Sequence, residues 1–90
     1  MYIIQTTKRF EKDYRRIKKS GRKDIEKLKT VMRKLSAGEK LDSKYKEHYL
    51  SGTYKNRKEC HIGPDWLLVY KIDSDKIIFE RTGSHTELFK

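Results

Sequence analysis

The apolar positions of this chain fall into two regimes. Between residues 8 and 36 they recur at helical spacing, and between residues 53 and 82 they form short runs and alternations punctuated by turn residues. A β-rich run, Tyr2 to Gln5, precedes both and predicts a strand. Thr6 or Thr7 can cap the helix that follows, accepting a hydrogen bond from an otherwise unpaired backbone N–H. Phe10, Tyr14 and Ile17 form one helical stripe among lysines and arginines. Ser20-Gly21 stops that helix, glycine suiting the left-handed position beyond its end. Ile25, Leu28, Val31, Met32 and Leu35 mark a second helix from about Arg22 to Ser36, ended by Ala37-Gly38. The link between them is very short, so the pair reads as an antiparallel helical hairpin. Neither stripe sustains heptads, which excludes a coiled coil.

Residues 39–52 are a polar connection with sparse anchors at Leu41, Tyr45, Tyr49 and Leu50, closing on the turn signal Ser51-Gly52. Thr53 to Ile62 reads as a strand, with Arg57, Glu59 and His61 on one face and Lys58, Cys60 and Ile62 on the other. Gly63-Pro64-Asp65 is a turn. Trp66 to Ile72 is apolar on both faces and should be central in the sheet. After Asp73-Ser74-Asp75 the chain returns as a strand from Lys76 to Thr82. A two-residue loop at Ser74-Asp75 sets Tyr70 opposite Phe79 and Leu68 opposite Arg81, and brings Asp65 beside the segment 81–85. Gly83-Ser84 breaks the strand, and Leu88-Phe89 packs the tail back. The expectation is one α+β domain over residues 1–90, in the order β-α-α-β-β-β. A helical hairpin covers one face of a small, mostly antiparallel, twisted sheet. The other face, beside the turns, is open to a ligand.

Composition narrows the class. Ninety residues make one domain with a modest core. A single cysteine forms no internal disulfide and fits a reducing cytoplasm. No apolar run approaches the roughly 20 residues of a membrane span, and the N-terminus is too short for a secretion signal. The net charge of +10 is one-sided: residues 1–46 hold sixteen Lys/Arg against six Asp/Glu, and residues 47–90 hold seven of each. A cationic helical half suggests a polyanionic partner such as nucleic acid, the ribosome or an acidic protein, although a solvated lysine-rich surface has the same composition.

Titratable groups sit at the ends of the apolar runs, where a sheet can gather them. His48, His61, Asp65, Arg81 and His85 form a candidate site. Metal-free RNA cleavage needs these types. A base removes the ribose 2′-OH proton, that oxygen attacks phosphorus, an acid protonates the leaving 5′-oxygen, and a cation steadies the phosphorane. Histidine serves as base or acid near neutral pH. Arginine binds phosphate through two parallel hydrogen bonds. Aspartate can orient a histidine or itself take the proton. Trp66 or Phe89 can stack on a base held out of its helix. Taken singly, each residue has an ordinary structural explanation: Asp65 as a turn residue, Trp66 as core, Arg81 paired with Glu59 or Glu80, Cys60 packed inward. The spacings of His48, Cys60, His61 and His85 match no compact metal-ligand pattern, so no metal or other cofactor is expected.

Together, His48 with the LSGTY that follows Tyr49, the run CHIGPDWLLVY from Cys60 and the run FERTGSHTELF from Phe79 resemble the YafQ group of the RelE/ParE toxin superfamily. The likeness extends to the T-x-x-F-x-x-D-Y start and the paired helices, and so covers nearly the whole chain. It implies a RelE-like fold and a ribosome-dependent endoribonuclease that cuts messenger RNA in the decoding site, without metal, as the toxin of a type II toxin–antitoxin system. It implies contact with ribosomal RNA, a DinJ/RelB-like antitoxin, operator DNA met only through the antitoxin complex, no membrane, and a cytoplasmic site of action. The family's functional positions fall on His48, His61, Asp65, Trp66, Arg81, His85 and Phe89. In this reading His85 and Asp65 are the proton-transfer pair, His48 and His61 contact the 2′-OH or phosphate, and Arg81 binds the scissile phosphate. Exchanging base and acid among the three histidines fits the same sequence. Two other functions remain open: a ParE-like inhibitor of DNA gyrase on the same fold, and a non-catalytic basic module for RNA or DNA.

Overall fold

The structure is a computed structural model and describes residues 1–50, 52 and 56–89. Strand β1 (Ile3–Thr6) leads into helix α1 (Lys8–Ser20) and helix α2 (Ile25–Ser36). A 3-10 turn at Ser43–Tyr45 precedes a two-residue strand β2 (His48–Tyr49). Strands β3 (Lys58–Gly63), β4 (Trp66–Asp73) and β5 (Lys76–Gly83) follow, and a single-turn helix α3 (His85–Leu88) closes the chain. The strands form one five-stranded sheet in the order β1-β5-β4-β3-β2. It is antiparallel except for β1, which runs parallel to β5 at one edge.

The helical hairpin forms as its stripes predict. The Thr7 side chain accepts from Phe10 N at 3.0 Å, and Gly21 takes the left-handed position at φ 67°. The second helix begins later than expected, at Ile25, because Asp24 is its cap and accepts from Glu26 N. Phe10, Ile17, Leu28, Val31 and Leu35 pack on the sheet residues Cys60, Ile62, Trp66, Leu68, Tyr70, Ile77 and Phe79 to make the main core. The opposite face is only partly open, since Leu88 of α3 covers Leu67 and Val69.

Two features depart from the expected strands. The short β2 was read as part of a loop; it pairs with β3, His48 opposite Glu59 and Tyr49 opposite Lys58. The start expected for β3, Thr53 to Lys55, lies outside the described residues, and the strand itself begins at Lys58. The β4–β5 hairpin has the two-residue turn, Asp73 pairs with Lys76, and Tyr70 does face Phe79. Beyond that point a bulge intervenes: Val69 opposes Arg81 and Leu68 opposes Thr82, so Glu80 has no opposite partner. The bulge shifts every later residue by one position and therefore to the other face. In the unbulged register Arg81 would share the face of Leu68 and point into the core. Instead Thr82 enters the core, fully buried, donating its hydroxyl to Leu67 O at 2.8 Å and accepting from the Trp66 indole N–H at 3.0 Å.

The last part of β5 lacks a strand neighbour on the edge away from β4, because β1 ends at Thr6 opposite Phe79. The side chains around α1 fill that edge. Thr7 donates its hydroxyl to Glu80 O, and the carboxylate of Asp13 accepts from Thr82 N at 3.2 Å. Asp13 also takes Arg81 Nε at 2.8 Å and Nη2 at 3.3 Å. Buried at 3% exposure within the apolar stripe of α1, this aspartate does the work of a strand edge. Burial alone pushes its carboxyl up, but Arg81, the Thr82 N–H and Arg16 together outweigh burial and hold it below the usual range. Arg16 continues the chain of contacts to Glu87 at 3.3 Å, which braces α3 against α1.

Candidate active site

The three histidines reach one place from three elements. His48 stands on β2, His61 on β3 and His85 at the first position of α3. His61 lies opposite Leu67, on the sheet face that Leu88 partly covers. The rings form a row: His48 to His61 is 6.3 Å between centroids, His61 to His85 is 6.0 Å, and His85 to Phe89 is 6.4 Å.

His85 is held by Asp65. The turn Pro64-Asp65 is closed by the pairing of Gly63 with Trp66, and Asp65 adopts φ 48°, a conformation aspartate tolerates better than most residues. Its Oδ1 accepts from His85 N at 3.0 Å and lies 2.9 Å from His85 Nδ1. Those two hydrogen bonds, backbone first, hold the Asp65 carboxyl below its ordinary range. An ionised carboxylate only accepts, so Nδ1 carries the proton and Nε2 keeps the lone pair in the neutral ring. The position of α3 is fixed by a capping box: Ser84 Oγ accepts from Glu87 N, and Glu87 Oε1 accepts from Ser84 N. Gly83, at φ 155°, is needed at this junction, since a Cβ there would lie 2.8 Å from Glu87 Oε1.

His48 has a different setting. Its Nδ1 lies 2.8 Å from the carbonyl of Lys46, and its Nε2 lies 3.1 Å from Glu59 Oε2. Both ring nitrogens thus face acceptors, an arrangement that a doubly protonated imidazolium satisfies. Glu59 is buried at 5% exposure, and its other oxygen has no hydrogen-bond partner among the described residues. The row therefore contains one imidazole presenting a lone pair and one suited to carry charge.

Two expected residues stand otherwise than expected. Trp66 was assigned to base stacking; it is 4% exposed, its indole bonds Thr82, and it belongs to the main core. Lys23 lies over its ring at 5.6 Å. An aromatic so enclosed has no face to offer a nucleobase. Arg81 was assigned to the scissile phosphate, with Glu59 or Glu80 as the structural alternative. Its Nε and Nη2 engage Asp13 instead, with the side chain 15% exposed, while Glu80 pairs with Arg57. Cys60 is fully buried in the core, and burial pushes its thiol up to about 12. Phe89, beside His85 and 37% exposed, remains accessible at the site.

Sequence reasoning missed Asp13, Glu59 and the Lys46 carbonyl. Asp13 had a visible signal, a carboxylate within the stripe of Phe10 and Ile17. The Lys46 carbonyl had none. Among the described residues no three His, Cys, Asp or Glu side chains are placed to hold a metal ion together.

The family described as "Bacterial toxin of type II toxin-antitoxin system, YafQ" matches residues 2–90. The mRNA interferase toxin YafQ of Escherichia coli K12 is 38% identical over 87 residues, covering 96% of this chain and 94% of its own. The crystal structure of the E. coli DinJ–YafQ complex superposes with a TM-score of 0.90 at 36% identity, all of both chains being covered. A metal-bound toxin from Helicobacter pylori superposes with a TM-score of 0.91 at 42% identity, covering 99% of this chain and 100% of its own. The fold, the length matched and the family profile agree: this chain belongs to the YafQ family of bacterial type II toxin–antitoxin toxins.

Proposed function

We propose that this protein is an mRNA interferase, an endoribonuclease that cuts messenger RNA on the ribosome and so stops translation. The observation that carries the reading is the row of three imidazoles with His85 held on Asp65. His85, its Nδ1 proton on Asp65, takes the 2′-OH proton at Nε2 as the 2′-oxygen attacks phosphorus. His48, suited to carry charge, neutralises the phosphorane, and its Nε2 proton passes to the departing 5′-oxygen as that nitrogen gives up its contact with Glu59. His61, between them, contacts the phosphate, and Phe89 stacks on a neighbouring base. The products are a 2′,3′-cyclic phosphate and a 5′-hydroxyl. No step requires a metal. The relatives' printed names support the activity, and the E. coli relative crystallised with DinJ supports an antitoxin of that kind as partner. In that scheme the protein acts in the cytoplasm, meets ribosomal RNA, and reaches operator DNA only through its antitoxin complex.

The test is cleavage of a defined message in a purified translation system. Magnesium must stay for the ribosome, so product chemistry decides: 2′,3′-cyclic phosphate ends are expected, whereas 3′-hydroxyl or 5′-phosphate ends would refute 2′-OH attack. A gyrase inhibitor would leave the message intact and has no use for the imidazole row.

A further inference from the structure

The segment between α2 and β2 carries an unusual backbone feature. Leu41 is buried and anchors its start. Asp42 accepts from Lys44 N at 3.0 Å and opens the 3-10 turn. Lys46 then adopts a left-handed conformation, φ 50°, donating its N–H to Ser43 O. Glycine or asparagine take that conformation readily and lysine does not. Lysine stands there nonetheless, with its carbonyl aligning His48. Lys44 and Lys46 line a groove of about 500 Å³, whose other walls include Lys27 of α2, Tyr45, His61 and Asp65.

We propose that this groove binds the sugar–phosphate backbone of single-stranded RNA, holding the nucleotides that adjoin the scissile phosphate. The proposal rests on the nuclease reading above and adds a substrate subsite to it. Three lysines, one on α2 and two in the segment around the 3-10 turn, line one concavity, and its size falls within the range of ordinary ligand sites. Lysine contacts phosphate as a point charge, and no Asn or Gln lines the groove, so it grips backbone and does not read sequence. The groove shares a wall with His61, which contacts the phosphate, and with Asp65, which holds His85. A chain lying in it runs directly into the imidazole row. That continuity favours RNA over an acidic protein segment, which needs no shared wall with the chemistry.

The test combines Lys27→Gln, Lys44→Gln and Lys46→Gly. The glycine removes a charge while making φ 50° comfortable, so the fold and the carbonyl that aligns His48 persist; thermal melting of the Lys46→Gly single variant checks this. Binding of a fluorescent oligoribonucleotide is measured against salt, and cleavage on the ribosome is followed at rising message concentration. The slope of log affinity against log salt should fall by about 2, near 0.7 for each of three phosphate contacts on a single strand. Affinity should drop on the order of tenfold at moderate salt, and KM should rise while kcat stays within a few-fold. An unchanged slope and KM would overturn the proposal. So would a collapsed kcat at constant KM, or intact RNA binding with loss of binding to the acidic antitoxin. The nuclease reading fails separately: if the wild-type chain binds RNA through these lysines yet cuts nothing, the groove stands and the catalytic assignment does not.

Discussion

Replacing Asp13 by alanine should be among the most damaging single changes in this chain, although sequence reasoning gives Asp13 no place in the site. The carboxylate accepts from Arg81 Nε at 2.8 Å, Arg81 Nη2 at 3.3 Å, Arg16 Nη1 at 3.0 Å and Thr82 N at 3.2 Å. Its removal takes from the guanidinium, 15% exposed, the carboxylate that accepts its Nε and Nη2, and leaves a buried backbone N–H without that acceptor. Breaking a buried ion pair from one side costs about 3–5 kcal/mol, and an unsatisfied N–H about 1–3 kcal/mol. The two overlap and do not add; we take about 3–4 kcal/mol overall. A chain of this size has a total stability of roughly 5–13 kcal/mol, so a large share is lost. The midpoint of thermal unfolding should fall by about 12–32 °C, at ~4–8 °C per kcal/mol for a domain this small. Thermal unfolding followed by circular dichroism measures that shift, and urea unfolding the free energy lost. The control is Asp13→Ala with Arg81→Met: if the lost pairing between carboxylate and guanidinium is the main penalty, the double variant regains much of the loss. The pH dependence has a defined sign. The folded carboxyl lies below the ordinary 3.8, so its stabilisation is fully present above that value and is lost as pH falls through the folded one. A loss under 1 kcal/mol for Asp13→Ala, or a double variant no better than the single, would refute the reasoning.

Two further outcomes follow from burial. Trp66→Phe removes the indole N–H from Thr82 Oγ1 and should cost about 1 kcal/mol of stability while leaving RNA affinity unchanged; weaker RNA binding at equal fold would restore Trp66 as a stacking platform. Cys60, buried and with its thiol pushed up to about 12, should react with iodoacetamide at neutral pH only as fast as the protein opens. Labelling that does not slow when an antitoxin or other ligand stabilises the fold would contradict that.

The helical hairpin, the central β4 and both tight turns were legible because each rests on local periodicity and turn chemistry. The three histidines were legible as a group because each ends an apolar run, and sheet geometry brings such ends together. What escaped depended on long-range choices. A two-residue strand such as His48–Tyr49 has no period to detect. The bulge at Glu80 depends on Asp13 and Thr7, some seventy positions earlier, meeting the open edge of β5. Missing it put Arg81 opposite Leu68 and obscured its partner. Trp66 was read both as part of a buried strand and as a base platform. The structure puts it in the core, where burial and an exposed stacking role exclude each other.

The central claim is that His85, oriented by Asp65, moves the proton that starts cleavage. Its most direct measurement is the single-turnover cleavage rate of His85→Ala on ribosome-bound message, with RNA affinity determined on the same sample. A fall of about 10²–10⁴-fold in rate is expected, with affinity within about twofold of the unaltered protein. A rate that stays within tenfold, or a loss that appears wholly as weaker binding, would contradict the account.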